Sequence, residues 1–311
     1  MVATTDSSAT DNTITDNTIT DNTITDGTGA GPDNTGTAST GRVATTPVHR
    51  TTGLRVLRSE WIKTRSLRST WITIAAVGLV IVGFGVLAAM AAGGEINGPN
   101  GGGPRFAGRG GPLTTVLAGA NVAVLLIAVF GSVVGAREFA SGMIRTTFAA
   151  VPRRLPVLWG KLLTFVAVVL PVVLAGLIAV FFAGMAVLDR AGAATLSWSD
   201  DGVTRALFGQ AYYILGLGLI GLALGVLLRG TAAAIGTTIG AVLFLPALAT
   251  ALLPSDWSAV LKYLPSNAGN AFTALTTSGD VLTAWQGFAV FTGWVVLAVV
   301  GAAVALVRRD A

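Results

Sequence analysis

The stretch REFASGMIRTTFAAVPRR, Arg137 to Arg154, places charge, glycine and proline between two long apolar runs. Written as a helix, Glu138, Gly142 and Arg145 fall at i, i+4 and i+7 and share one face, with Phe139 and Met143 in a row beside it. The two charges then stand about 10 Å apart along the axis, at 1.5 Å per residue, too far for easy direct pairing. They are available to neutralise charges elsewhere, on this chain or on another. Gly142 leaves room for a second backbone, at a cost of about 1 kcal/mol to the helix relative to Ala. Val151 precedes Pro152 and is biased away from helix, which predicts an end near Ala150. Arg153 and Arg154 then anchor the next apolar run. The chemistry open to such a set is salt bridging and docking.

Other chemistries are excluded by what the chain does not carry. It has no cysteine, so neither a disulfide framework nor a thiolate metal site is possible. Its one histidine, His49, lies in the polar N-terminal region, which removes His-based triads and zinc sites. A phosphate-cradling P-loop needs G-x-x-x-x-G-K-[ST]. The Gly-Lys pair here, Gly160-Lys161, is followed by Leu162 and has Leu155 where the first glycine belongs. The chain is therefore not expected to hydrolyse ATP, nor to be an enzyme, because no nucleophile–base constellation occurs in or beside the apolar runs.

Those runs dominate the sequence. Of 311 residues, 52% are hydrophobic and 11% charged, and mean hydropathy is +0.72. A soluble domain carries about 25% charged residues, so most of this chain cannot face water. A membrane-spanning helix needs about 20 apolar residues, and six stretches qualify: Ile72–Ala92, Leu113–Gly135, Pro156–Ala183, Ala206–Leu228, Ala232–Leu253 and Ala284–Val307. They are apolar on all sides and too long for barrel strands of about ten residues. Trp71, Trp159, Trp198, Trp257 and Trp285 fall near the expected interfaces.

Lys and Arg set the orientation. If both termini share a side, that side collects 15 of the 20 basic residues. This bias predicts cytoplasmic N- and C-termini, and places Arg137–Arg154 in the cytoplasm. On the opposite side, Gly93–Pro112 reads as a flexible Gly-rich loop. Pro254–Asp280 has Trp257, Val260, Leu261 and Leu264 at helical spacing, which predicts short outer helices between spans five and six. Three lysines against 17 arginines hint at a GC-rich bacterial coding sequence.

No ionisable residue lies in the central part of any span; the deepest polar groups are Asn121, Gln210, Thr237 and Thr238. Asn121 and Gln210 are expected to hydrogen bond between helices, with substrate contact as the alternative. Gly131/Gly135, Gly221/Gly225 and Gly236/Gly240 each form G-x-x-x-G, which permits close helix packing within the chain or in a dimer. Pro171 and Pro246 should kink or break spans three and five.

Before the first span, LRVLRSEWIKTRSLRSTW places Leu54, Leu57, Trp61 and Ile62 on one stripe, with Arg55, Arg58, Lys63, Arg65 and Arg68 around it. That pattern predicts an amphipathic helix in the membrane interface. Residues 1–53 are a different material. Three tandem DNTIT copies, Asp11 to Thr25, precede a Gly/Thr-rich run, and six Asp occur before the first basic residue, Arg42. So few apolar groups cannot offset the entropy of ordering, so a disordered low-complexity tail is expected, with partner binding as the alternative. It does not have the basic start and apolar core of a signal peptide.

From Leu54 to Arg309 the chain resembles ABC-2 type permeases, the membrane subunits of bacterial ATP-binding cassette exporters. The resemblance rests on SEWIKTRSLRSTW, the six spans, the helical segment before the last span, and REFASGMIRTTFAAVPRRLPVLWGKLL with Glu138, Gly142, Arg145, Thr146, Pro152, Arg153 and Lys161. It implies an all-α membrane domain, residues 54–311, with the segment between spans two and three as a cytoplasmic coupling helix. Glu138, Phe139, Gly142, Met143, Arg145, Thr146, Pro152 and Arg153 would dock on a soluble P-loop ATP-binding subunit. ATP and magnesium would reside in that subunit, with no cofactor or metal in this chain. A second permease, identical or homologous, and the bilayer complete the implied partners, and no nucleic acid is expected. The implied location is the bacterial plasma membrane. Two other classes share the topology: a non-transporting anchor or sensor scaffold, which predicts no nucleotide dependence, and an ion-coupled secondary transporter, which the absence of buried carboxylates in the spans disfavours.

Overall fold

Inside hydrocarbon no water satisfies backbone amides, so apolar runs of this length must close their hydrogen bonds internally. The computed structural model describes residues 53–94, 111–143, 154–252, 258–275 and 282–308, and these contain helices and no strand. All belong to one unit, His49–Ala311. In chain order the helices are α1 (Gly53–Ser66), α2 (Arg68–Ala92), α3 (Pro112–Val116), α4 (Ala118–Ala140), α5 (Leu155–Arg190) and α6 (Val203–Leu228). Then come α7 (Thr231–Ile239), a π turn (Gly240–Phe244), α8 (Leu245–Leu252), α9 (Ser258–Leu261), α10 (Pro265–Thr273) and α11 (Ala284–Arg308). Six segments are long and apolar enough to cross a membrane: α2, α4, α5, α6, Thr231–Ala249 through α7 and α8, and α11. The DNTIT tail, residues 95–110, Trp257, and Arg145, Thr146, Pro152 and Arg153 lie outside the described residues.

The second expected span is displaced. Leu113–Val116 forms part of the short α3, which begins at Pro112, and the spanning helix starts only at Ala118. Leu117, with φ −84° and ψ 6°, breaks the two apart. Gly119 then lies so close to α2 that a Cβ there would strike the carbonyls of Val80 and Ile81.

Small residues govern the centre of the bundle. Gly131 and Gly135 of α4 lie against Gly218, Leu222 and Gly225 of α6, and a Cβ at Gly221 would meet the carbonyl oxygen of Ala128. Two of the three G-x-x-x-G pairs therefore pack on each other within the chain, whereas Gly236 and Gly240 have nothing nearby. Phe181, Phe291, Ile81, Ile127, Leu177 and Leu207 fill the surrounding core.

The two spanning prolines behave differently. α5 runs unbroken through Pro171 for 36 residues, so the expected break is absent. One hydrogen bond is lost there, and a membrane bundle tolerates that loss through its neighbours. Pro246 instead follows the π turn Gly240–Phe244, where wider winding interrupts the α-helical ladder just before a residue with no N–H. Beyond this point the span is loosely held, and Leu248 and Leu252 are exposed.

Candidate functional site

Four charged side chains from three helices meet at one end of the bundle. α1 crosses α5 at Gly160, where the nearest neighbours of an added Cβ would be Glu60 Cγ at 3.3 Å and Val56 Cγ1 at 3.5 Å. Val56, Glu60 and Lys63 stand at i, i+4 and i+7 on α1 and form its inward face. Glu138 enters from the last turn of α4 and Lys161 from the second turn of α5.

Lys161 Nζ donates to Glu138 Oε1 at 2.7 Å and to Glu60 Oε2 at 3.3 Å. Lys63 Nζ donates to Glu60 Oε1 at 2.8 Å and to Glu138 Oε1 at 3.2 Å. Two carboxylates and two ammoniums thus form a closed ring with no net charge. Glu60, Glu138 and Lys161 are 5%, 4% and 7% exposed, so the ring is sealed from solvent except at Lys63. Burial alone would pull the Lys63 ammonium down. The hydrogen bonds and charges of Glu60 and Glu138 outweigh that and hold it above the ordinary lysine value. Removing one member would leave a buried charge uncompensated, a loss of roughly 3–5 kcal/mol.

Nearby contacts bind further helix ends to the ring. The Arg229 guanidinium after α6 lies 5.4 Å from the centre of the Phe139 ring. Arg154 Nη1 donates to the Leu306 carbonyl of α11 at 3.0 Å. Trp71 Nε1 donates to the Arg65 carbonyl at 3.1 Å, across the extended Leu67 between α1 and α2.

The sequence-derived residues divide around this ring. Glu138 and Lys63 are members of it, so Glu138 is neutralised on its own chain. Leu54, Trp61 and Ile62 point away from the protein, Leu57 is half-buried and Arg65 is exposed. The predicted apolar stripe is thus the outward face of α1, opposite to the face that packs. The continuous helix through Glu138, Gly142 and Arg145 is corrected: α4 ends at Ala140, and Gly142 has φ +72°, a left-handed backbone that stops a helix. The helix that carries Glu138 therefore does not continue through Gly142, and Arg145 lies outside the described residues. Met143 beyond it is exposed. Glu60 was missed, although its i+4 spacing from Val56 and i−3 spacing from Lys63 mark the same face. As a site residue Lys161 came only with the resemblance, without its partners.

Asn121 and Gln210, expected to hydrogen bond between helices, instead both line a mixed polar cavity of about 400 Å³, together with Asn270 of α10. Interhelical hydroxyl pairs are made elsewhere, between Ser132 Oγ and Thr238 Oγ1 at 2.8 Å and between the Tyr212 and Thr292 hydroxyls at 2.9 Å.

Compared with known proteins, the chain matches no family model and no curated relative.

Proposed function

We propose that this chain is the permease subunit of an ATP-driven exporter of the ABC-2 type, working with a separate soluble ATPase and a second permease. In this reading the N- and C-termini and the charged ring face the cytoplasm of a bacterial cell, and α1 lies in the membrane interface. The observation that carries the reading is Lys161 bridging Glu60 and Glu138. It fastens α1 to both helices that flank residues 144–153, so a push on that segment is transmitted at once to α1, α4 and α5. An ATPase closing beneath the segment would bias the spans between two arrangements, a coupling that requires a bistable element biased from both sites. The six apolar helices and the missing P-loop support the division of labour, with the motor on another polypeptide.

Affinity purification of the tagged protein from its native membranes tests this reading. A P-loop ATPase should co-purify, and Arg145→Ala, alone or with Glu138→Ala in protein whose unfolding temperature shows that it is folded, should weaken its recovery and uncouple ATP hydrolysis from transport. Recovery in mild detergent with no ATPase, or a variant that behaves as the parent, would overturn the assignment in favour of a scaffold.

A further inference from the structure

Next to the ring lies a cavity of about 260 Å³ between α1, α2, α4 and α5. Its two ends differ in chemistry. At one end stand Glu60, Lys63, Arg137, Glu138 and Lys161, three cations against two carboxylates. Arg137 is exposed and makes no ion pair among the described residues. Glu138 Oε2 is buried and has no hydrogen-bond partner, while Oε1 accepts from both lysines. At the other end Leu126, Phe130 and Val134 repeat at i, i+4 and i+8 along α4, with Val129 and Val133 beside them. This apolar strip runs about 12 Å from Val134 to Leu126, at 1.5 Å per residue, away from the charges. Leu126 is 36% exposed, so the strip opens sideways from the bundle.

We infer that this cavity binds a phospholipid whose head group carries a primary ammonium. The unpartnered Glu138 Oε2 calls for a hydrogen-bond donor, and the excess cation at Arg137 calls for an anion. A phosphoethanolamine head supplies both: its ammonium reaches Glu138 and its phosphate meets Arg137. One acyl chain then lies along Val134, Phe130 and Leu126. A trimethylated ammonium cannot donate to Glu138 Oε2, and a glycerol head offers it only a neutral hydroxyl, a weaker donor than an ammonium. The inference is independent of what the protein transports or recruits.

The test uses the full-length protein, delipidated in detergent. Dioleoyl phosphatidylethanolamine, phosphatidylcholine and phosphatidylglycerol are added in turn, and retained lipid is counted by native mass spectrometry beside the unfolding temperature. The ethanolamine lipid should be retained about tenfold better than the other two and raise the unfolding temperature most. Arg137→Gln lies on the surface, outside the ring, and should weaken retention of all three lipids, which share the phosphate, while leaving the lipid-free unfolding temperature unchanged. Val133→Trp should block the strip and abolish retention without touching a charge. Glycerophosphoethanolamine, the head without chains, should bind far more weakly. Equal retention of the three lipids would mean a bulk-lipid layer only and would sink the proposal. So would full retention in Val133→Trp, or tight binding of the chain-free head.

Discussion

Lys161 donates to Glu138 at 2.7 Å across 23 residues of chain, and both side chains are almost wholly buried. The contact closes the loop between α4 and α5 at its base, and through Glu60 it holds α1 in place. Such a pair is costly to desolvate and costly to break. Lys161→Met should therefore destabilise the protein by roughly 3–5 kcal/mol, read as a fall in unfolding temperature in detergent. The double variant Lys161→Met/Glu138→Leu should recover part of that loss, because it leaves no lone buried charge at this contact. A double variant as unstable as the sum of its singles would mean the two side chains do not interact.

Lys63 carries the pH dependence of the same ring. Its folded pKa is raised above the ordinary lysine value of 10.5. A raised lysine contributes stability that is fully present below its unfolded pKa, about 10.4, and is lost as pH rises through the folded value. The unfolding temperature should therefore change little through this group between about pH 7 and 9 and should fall above about 10.5. Lys63→Met should start lower and lose that part of the alkaline fall. An alkaline limb identical in parent and variant would remove Lys63 from the account.

The glycines give a contrast within one chain. At Gly131 a Cβ would be driven into the carbonyl of Gly218, whereas at Gly236 it would meet nothing within 4 Å. Gly131→Ala should cost about 1–3 kcal/mol through overpacking. Gly236→Ala should be neutral or stabilise by up to about 1 kcal/mol, the helix preference for Ala over Gly. If the two variants unfold alike, the α4–α6 contact is not as close as described.

Hydropathy made the helices legible, because length and apolarity determine a spanning segment almost without tertiary context. Five of the six fell close to their expected positions, and the exception turned on Leu117, an apolar residue that carries no sign of its turn conformation. Proline was legible only in part: Pro246 follows an irregular π turn, whereas the helical assignment runs unbroken through Pro171. At the site, Glu138 stood out as a charge at the end of an apolar run. Its partners did not, because Lys161 is 23 positions away and Lys63 is 75 away. Periodicity reports which residues share a face of one helix and says nothing about which face of another helix it meets. The same limit hid the packing face of α1, where Val56 and Glu60 are buried while its larger apolar side chains face outward.

The fifth span hangs on one polar contact more than its apolar surface suggests. Only 11% of its most apolar window is buried, against 67% for α6. Ser132 Oγ also donates to the Ala128 carbonyl at 3.0 Å, which leaves the Thr238 hydroxyl to donate across the 2.8 Å contact to Ser132. Ser132→Ala strands the buried Thr238 hydroxyl and should cost about 1–3 kcal/mol, the penalty of an unsatisfied polar group. Replacing both ends, Ser132→Ala with Thr238→Val, removes the orphan and should cost less than the single change. Because α7 has few other polar ties, Ser132→Ala should also raise proteolysis near residues 229–231 while cleavage elsewhere stays unchanged. A double variant worse than Ser132→Ala alone would show that the pair contributes attraction of its own beyond avoiding an unpaired hydroxyl.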